Sequence, residues 1–359
     1  MRSPCERSGE SEEQEEAAVA AAEVREGMGG GRRLCLGRGP HGPLSLSGTH
    51  GLGELVKDTI HLRSCRAHSL VPASCSLRQG SAPKLSLQHR GLGPQGARAL
   101  ASTLTSNPDV KRLDLWDNGL CGASAEALAG ALSQVAASVG DVELSENQLG
   151  AVGAQAVCAA LVVNPAMQRV QLARNSLEEQ APQYLAELLL AHKGLKSLDL
   201  SSNKLSDQAG ETLGPALAEN TGLTELNVSW NHLQGPGGLA FARGLEANIF
   251  LRVLDISDNG FGDPGAFAVG EALQTNNMLK ELNMNNNRIS AAGALSLGLG
   301  LRVTQTLRML VVSRNPRRSA GCFAVLRSVQ ENPVSALELL DFSIRDVQVS
   351  REFDDLTAQ

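Results

Sequence analysis

Eight asparagines, Asn118, Asn147, Asn175, Asn203, Asn231, Asn259, Asn287 and Asn315, stand 29 residues apart once and 28 residues apart thereafter. Each closes a segment of one pattern, as in VKRLDLWDNGL, LKSLDLSSNKL, LTELNVSWNHL and LKELNMNNNRI. A period this long and this regular admits few folds. It describes one supersecondary unit that cannot bury its apolar face alone and is stacked on copies of itself.

Within a segment the apolar residues alternate. Leu198 and Leu200 take one face of a short strand and Asp199 and Ser201 the other, which is the period of an extended chain. The asparagine falls where the strand ends and the backbone turns inward, and its amide is suited to pairing the buried donors and acceptors left there. The second half of each unit, such as SDQAGETLGPALAEN, spaces Leu and Ala as a helix does. Small residues (Gly153, Gly210, Gly238, Gly265, Gly293) recur where the helix meets the turn. Gly235-Pro236 and Asp263-Pro264 mark helix starts, and Asn107, Asn164, Asn220, Asn248 and Asn276 mark helix ends. Pro215 falls inside a predicted helix and is expected to kink or shorten it. The pattern therefore predicts an α/β solenoid, a curved horseshoe with parallel strands on the concave side and helices on the convex side. KLSLQHRGL, with Arg90 in the asparagine slot, and LELLDFSIR, with Arg345 there, extend it to nine or ten units over residues 82–345.

These segments resemble the ribonuclease-inhibitor-like class of leucine-rich repeats. The lead-in LRSCRAHSLVPASCSLRQG and the following LQHRGLGPQGARALASTL are similar to the leucine-rich repeat-containing protein 74 group. The resemblance is specific for fold and brings no biochemical activity with it. Ran GTPase-activating proteins share the repeat class, so a GTPase-activating or other regulatory role, with Arg90 at the edge of the first unit, is the alternative reading. No GxxxxGK[ST], GxSxG or HExxH segment is present. The expectation is a non-enzymatic scaffold with no catalytic residues and no cofactor.

Outside the arc the chain changes character. Residues 1–55, an acidic run followed by a glycine-rich stretch, lack the apolar surface to fold and are expected to be disordered. Residues 56–81 are expected to cap the arc, and residues 346–359 leave its C-terminal end incompletely covered, which favours self-association there. His61, Cys65, His68 and Cys75 lie close in sequence, but their spacing fits no standard zinc site, and no metal is expected. The seven cysteines are scattered and read as reduced thiols. Acids stand where a signal peptide needs basic residues, which points to the cytoplasm or nucleus. With a formal net charge of −6 the chain offers no electrostatic footprint for nucleic acid or anionic membrane, so a protein partner is the expectation.

Where that partner would bind follows from the register. Aromatic residues are only 3% of the chain and tryptophans number 2, yet both tryptophans, Trp116 and Trp230, fall on or beside the concave face. Exposed tryptophan is enriched at binding hot spots. Around them the pattern places Asp114, Asp117, Glu143 and Glu146, expected to form an acidic patch near the N-terminal end. Arg174, Asp199, Asp255 and Asp258 lie farther along.

Overall fold

The computed structural model describes residue 63 and residues 83–342, apart from 106–108, 135–137 and 317. The expected tail, the capping segment with its His61/Cys65/His68/Cys75 set, the helix end at Asn107 and the segment around Arg345 lie outside these residues. The described residues belong to one compact unit, residues 52–359.

Strand and helix alternate throughout. The first half runs β1 (Lys84–Ser86), α1 (Gly93–Leu104), β2 (Arg112–Asp114), α2 (Gly122–Leu132), β3 (Asp141–Glu143), α3 (Gly150–Val163), β4 (Arg169–Gln171), α4 (Ala181–Ala191), β5 (Ser197–Asp199) and α5 (Asp207–Glu219). The second half runs β6 (Glu225–Asn227), α6 (Gly235–Ala247), β7 (Val253–Asp255), α7 (Gly262–Thr275), β8 (Glu281–Asn283), α8 (Ala291–Leu301), β9 (Met309–Val311), α9 (Arg318–Gln330) and β10 (Leu339–Asp341). The strands form one sheet in chain order, all neighbours parallel. Equivalent residues pair across units, as in Leu198 with Leu226 and Leu226 with Leu254.

The middle residue of each strand is buried at every unit from Leu85 to Leu310, as the period of two requires. With the helix leucines and alanines these residues make one continuous aliphatic core. Phe241 and Phe261 are its fully buried rings among the described residues, packed edge to face at 6.4 Å.

The eight repeating asparagines are the turn fasteners of this stack. Seven are buried and Asn315 is half-buried. Asn231 shows their work: its Nδ2 donates to the carbonyls of Leu200 (3.0 Å), Val228 (3.0 Å) and Ser229 (3.1 Å), and its Oδ1 accepts from Leu205 N–H (3.0 Å). Leu200 and Leu205 belong to the preceding unit, so each side chain closes its own turn and ties it to the one before.

A second, parallel set of buried polar side chains runs along the opposite edge, at the helix ends. Asn248 accepts from Phe250 N–H (2.9 Å) and Leu251 N–H (2.7 Å) and donates to the carbonyls of Leu217 (2.7 Å) and Asn220 (3.1 Å). Asn276 and Asn332 repeat the arrangement. In the unit between Asn164 and Asn220 the place is taken by His192. Its Nδ1 accepts from Gly194 N–H (3.1 Å) and Leu195 N–H (2.9 Å), so Nε2 is the donor to the Asn164 carbonyl (3.0 Å). Replacing His192 with asparagine should therefore leave chemical-denaturation stability within about 1 kcal/mol, because the amide reproduces these bonds. His192→Leu should cost about 2 kcal/mol, since it strands two N–H donors and a carbonyl.

Two expectations need correction. Pro215 neither breaks nor shortens α5, which spans 13 residues. Pro215 and Glu211, whose carbonyl it leaves without a helical donor, both face solvent, where water satisfies the freed group. Cys121 is disulfide-bonded rather than a reduced thiol, whereas Cys158 and Cys322 are buried and take part in no disulfide. Linear spacing carried no trace of that pairing. Burial pushes the Cys158 thiol up to about 12, with a smaller push from Glu187, so it stays neutral and serves as packing.

Candidate protein-binding face

Two positions of the repeat carry nearly all the residues expected to bind. One is the last residue of each strand, four places before the ladder asparagine. The other immediately precedes the asparagine.

At the strand ends the side chains have a structural duty. Glu143, Asp199 and Asp255 each accept a hydrogen bond from the backbone N–H two residues on, at Ser145 (2.8 Å), Ser201 (2.8 Å) and Ser257 (2.9 Å). Asn227 and Asn283 make the same bond. This is the local turn that short acceptors favour, and it ends the strand. These carboxylates remain half-buried, with the rest of each group facing out. Burial raises the Glu143 carboxyl above its usual range; its bonds to Ser145 oppose the rise, and the charges of Asp114 and Asp199 add to it.

Asp114 departs from the expectation of an exposed acid. It is 2% exposed, held by Gln88 Nε2 (2.6 Å), Ser86 Oγ (3.3 Å) and Lys84 Nζ (3.8 Å). The polar side chains of the first unit lie over it and remove it from any contact surface. The expected acidic patch is thinned further by sideways pairing: Asp117 meets His89 Nδ1 at 2.6 Å, and Glu146 is hydrogen-bonded by Arg174. Of that set Asp117 alone stays exposed, and Glu143 and Glu146 are half-buried.

The position before the ladder asparagine has one conformation throughout. His89, Asp117, Glu146, Arg174, Ser202, Trp230, Asp258, Asn286 and Arg314 all have φ between 48° and 58°. The left-handed turn it makes is easy for Asn, Asp and Gly and unfavourable for a bulky side chain. Neighbours along this row pair across units, as Asn286 Nδ2 does with Asp258 Oδ1 (2.8 Å). Trp230 interrupts the pairing. It is 60% exposed, and among the described residues its ring stacks on no other. Its indole walls a shallow groove of about 320 Å³, completed by His232, Gln234, Asp258, Asn286 and Arg288. A second groove of about 180 Å³ lies nearer the N-terminal end between Arg112, Glu143, Gln171 and the Asp141–Arg169 ion pair, whose contacts are 2.9 and 3.1 Å.

Trp116 is not the counterpart of Trp230. It stands one place earlier in the register, is half-buried, and packs edge-on against His89 with ring centres 4.3 Å apart. One tryptophan covers a turn and the other stands free of it. Arg90 is exposed, and its backbone N–H donates to Asn118 Oδ1 (3.0 Å).

Comparison with known proteins agrees with this architecture. A family model described as Leucine Rich repeat matches residues 194–214, 219–242, 247–270 and 275–298. The chain is 71% identical over 119 residues to leucine-rich repeat-containing protein 74B of Homo sapiens, a match covering 31% of this chain and 28% of that protein. It is 62% identical over 112 residues to the Mus musculus protein of the same name, with the same shares covered. The matched span is thus under a third of either relative. Among solved structures, Leiomodin-1 Actin-Binding Site 2 (ABS2) aligns with a TM-score of 0.35 at 19% identity, covering 42% of this chain and 87% of that one. The described residues fold as an α/β solenoid of leucine-rich repeats, and over just under a third of its length the chain is similar to leucine-rich repeat-containing protein 74B.

Proposed function

We propose that this chain is a non-enzymatic scaffold that holds a protein partner on its strand face, with Trp230 as the anchor. Leucine-rich repeats in general suggest a role in protein–protein interaction, and the observation that supports this reading is the free indole. A bulky side chain in a left-handed turn costs roughly 1 kcal/mol relative to asparagine, and it is also left in water. Neither helps the fold, so a gain outside the fold is the natural account. Glu143, Asp199, Asp255 and Asp258 border the same face and would steer a basic partner surface. Asp114 is omitted, being buried. Trp116 contributes at most its outer edge.

The test is Trp230→Asn, which places here the residue type found at Asn286 in the same row. Thermal stability should be equal or up to about 1 kcal/mol higher, because asparagine tolerates this turn. Partner capture from cells, quantified by crosslinking mass spectrometry, should fall at least about tenfold. Undiminished capture by a stable variant would remove Trp230 from the function.

A further inference from the structure

The positions from the first strand residue to the residue before the ladder asparagine carry the charges of the strand face, and those charges divide at β5. In the units of β1–β4 they include Asp114, Asp117, Asp141, Glu143 and Glu146. All of these acids but Glu143 are held by a basic side chain of an adjacent unit: Asp114 by Lys84 (3.8 Å), Asp117 by His89 (2.6 Å), Asp141 by Arg169 (2.9 Å) and Glu146 by Arg174. In the units of β5–β8 the same positions hold Asp199, Glu225, Asp255, Asp258 and Glu281, and no Lys, Arg or His. None of these acids forms an ion pair among the described residues. Their hydrogen bonds come from neutral donors: the N–H groups of Ser201 and Ser257, and the amides of Asn283 (2.9 Å to Asp255) and Asn286 (2.8 Å to Asp258). Arg169 feels Glu225, but less than it feels Asp141, to which it is bonded.

Like charges gathered without counter-charges oppose the folded state, so the fold gains nothing from this set. A chain of opposite sign laid over it does gain. Asp199, Glu225, Asp255 and Glu281 fall one per unit and alternate between the third and first strand positions, which sets neighbours on the order of 8 Å apart. An extended segment turns alternate side chains to one side about 7 Å apart, so basic residues at every second position come within reach of the row. Trp230 and its groove belong to the same units.

We infer that the face of β5–β8 is the docking surface for a basic, extended segment of a protein partner, one of whose arginines is seated on Trp230. This rests on the reading of Trp230 as the anchor and names what it anchors. A guanidinium lies flat on an indole and offers a planar fork to a carboxylate, which an ammonium cannot do. The carboxylate next to Trp230 in its row is Asp258, whose Oδ1 takes the Asn286 amide and whose Oδ2 is left for the fork. Arg288, the arginine of the groove wall, comes from the unit after next, roughly 10 Å farther along the sheet, so a cation on the indole lies against Asp258 first.

The probes are labelled, capped peptides of about twelve residues with arginine, lysine or glutamate at alternate positions, titrated with the full chain to about 1 mM and read by fluorescence anisotropy at low salt. The arginine peptide is expected to bind more tightly than the lysine peptide, and the glutamate peptide not at all. Asp199→Asn with Asp255→Asn should weaken the arginine peptide on the order of tenfold without loss of fold, since Asn227 and Asn283 already fill this row and make the same turn bond. Glu246→Gln with Glu271→Gln removes as much charge from the helix layer and should change nothing. Trp230→Asn should weaken the arginine peptide about fivefold and erase its advantage over lysine. No binding of the arginine peptide, equal binding of the glutamate peptide, or equal losses from the strand and helix pairs each overturns the inference. So does an arginine preference that survives Trp230→Asn. If Trp230→Asn abolishes partner capture from cells while Asp199→Asn with Asp255→Asn leaves it intact, Trp230 remains the anchor and the basic segment is wrong.

Discussion

Gly244→Ala is expected to destabilise the solenoid by about 3 kcal/mol or more, although alanine is the better helix former. A Cβ at Gly244 would stand 2.1 Å from the carbonyl oxygen of Gly214 on the neighbouring helix and 2.9 Å from its Cα. Gly214 and Gly210 are equally tight, meeting Ala240 O at 2.4 Å and Gly237 O at 2.2 Å. Helices α5 and α6 thus touch backbone to backbone, and relieving the clash means parting them by about an ångström, at the cost of packing along their length. The gain in helix propensity, at most about 1 kcal/mol, does not offset this. Gly130, inside α2, has nothing within 4 Å of an added Cβ. There the same substitution should stabilise by about 0.5–1 kcal/mol. Urea denaturation reads both signs, and hydrogen exchange of α5 and α6 locates the damage. Equal effects at Gly244 and Gly130 would show that the close contact does not govern the pair.

Asn231→Leu is the second large effect expected, about 3 kcal/mol. Leucine keeps the volume but abolishes three donated bonds and leaves Leu205 N–H buried without its acceptor. Asn231→Asp separates shape from donor chemistry. The carboxylate keeps the bond from Leu205 N–H but turns an oxygen towards the carbonyls of Leu200, Val228 and Ser229. Its ionised form is disfavoured in the fold, so its folded-state pKa is raised, and the stability it lacks near neutral pH returns as the pH falls and the group protonates. Leucine has no proton to gain, and its loss should persist in acid. Matching pH profiles for the two variants would contradict the assigned bonding.

Much of the architecture was legible because one residue type, once per unit, has no substitute. An amide that donates to a carbonyl and accepts from an N–H at one strand end leaves a periodic asparagine in the sequence, and the alternation around Leu198 and Leu200 did the rest. The second row of buried polar groups was half visible: Asn164, Asn220, Asn248 and Asn276 marked helix ends, but His192 in the same duty broke the pattern of letters while keeping that of hydrogen bonds. The binding face was less legible, since depth at a position depends on side chains 28 residues away. Nothing within VKRLDLWDNGL tells that Gln88 and Ser86 lie over Asp114. The recurrence of serine two places after the strand-end acids (Ser145, Ser201, Ser257) was the available sign that those acids serve the turn. Trp116 and Trp230 differ by one place in the register, and that place separates a ring packed on His89 from one left free. Gly210 was legible as a small residue, but its reason, the carbonyl of Gly237, lies on another helix.

The asparagine bonds also set rules for which changes of chain length the molecule tolerates. Where the step is 28 residues, bonds to neighbouring units join residues 26, 28 or 31 apart, and across the 29-residue step they join residues 27, 29 or 32 apart. Removing or adding one whole unit leaves every remaining partner in phase, while a single residue gained inside a strand or its turn would misalign both polar rows at once. The one 29-residue step, from Asn118 to Asn147, shows where slack is permitted. The strand pair Arg112–Asp141 carries the extra residue, yet α2 begins four places after Asn118, as α5 does after Asn203, so the surplus falls between the end of α2 and the start of β3. Insertions and deletions compatible with this protein are therefore of two sizes: a residue or so in the link from helix to strand, or a complete unit.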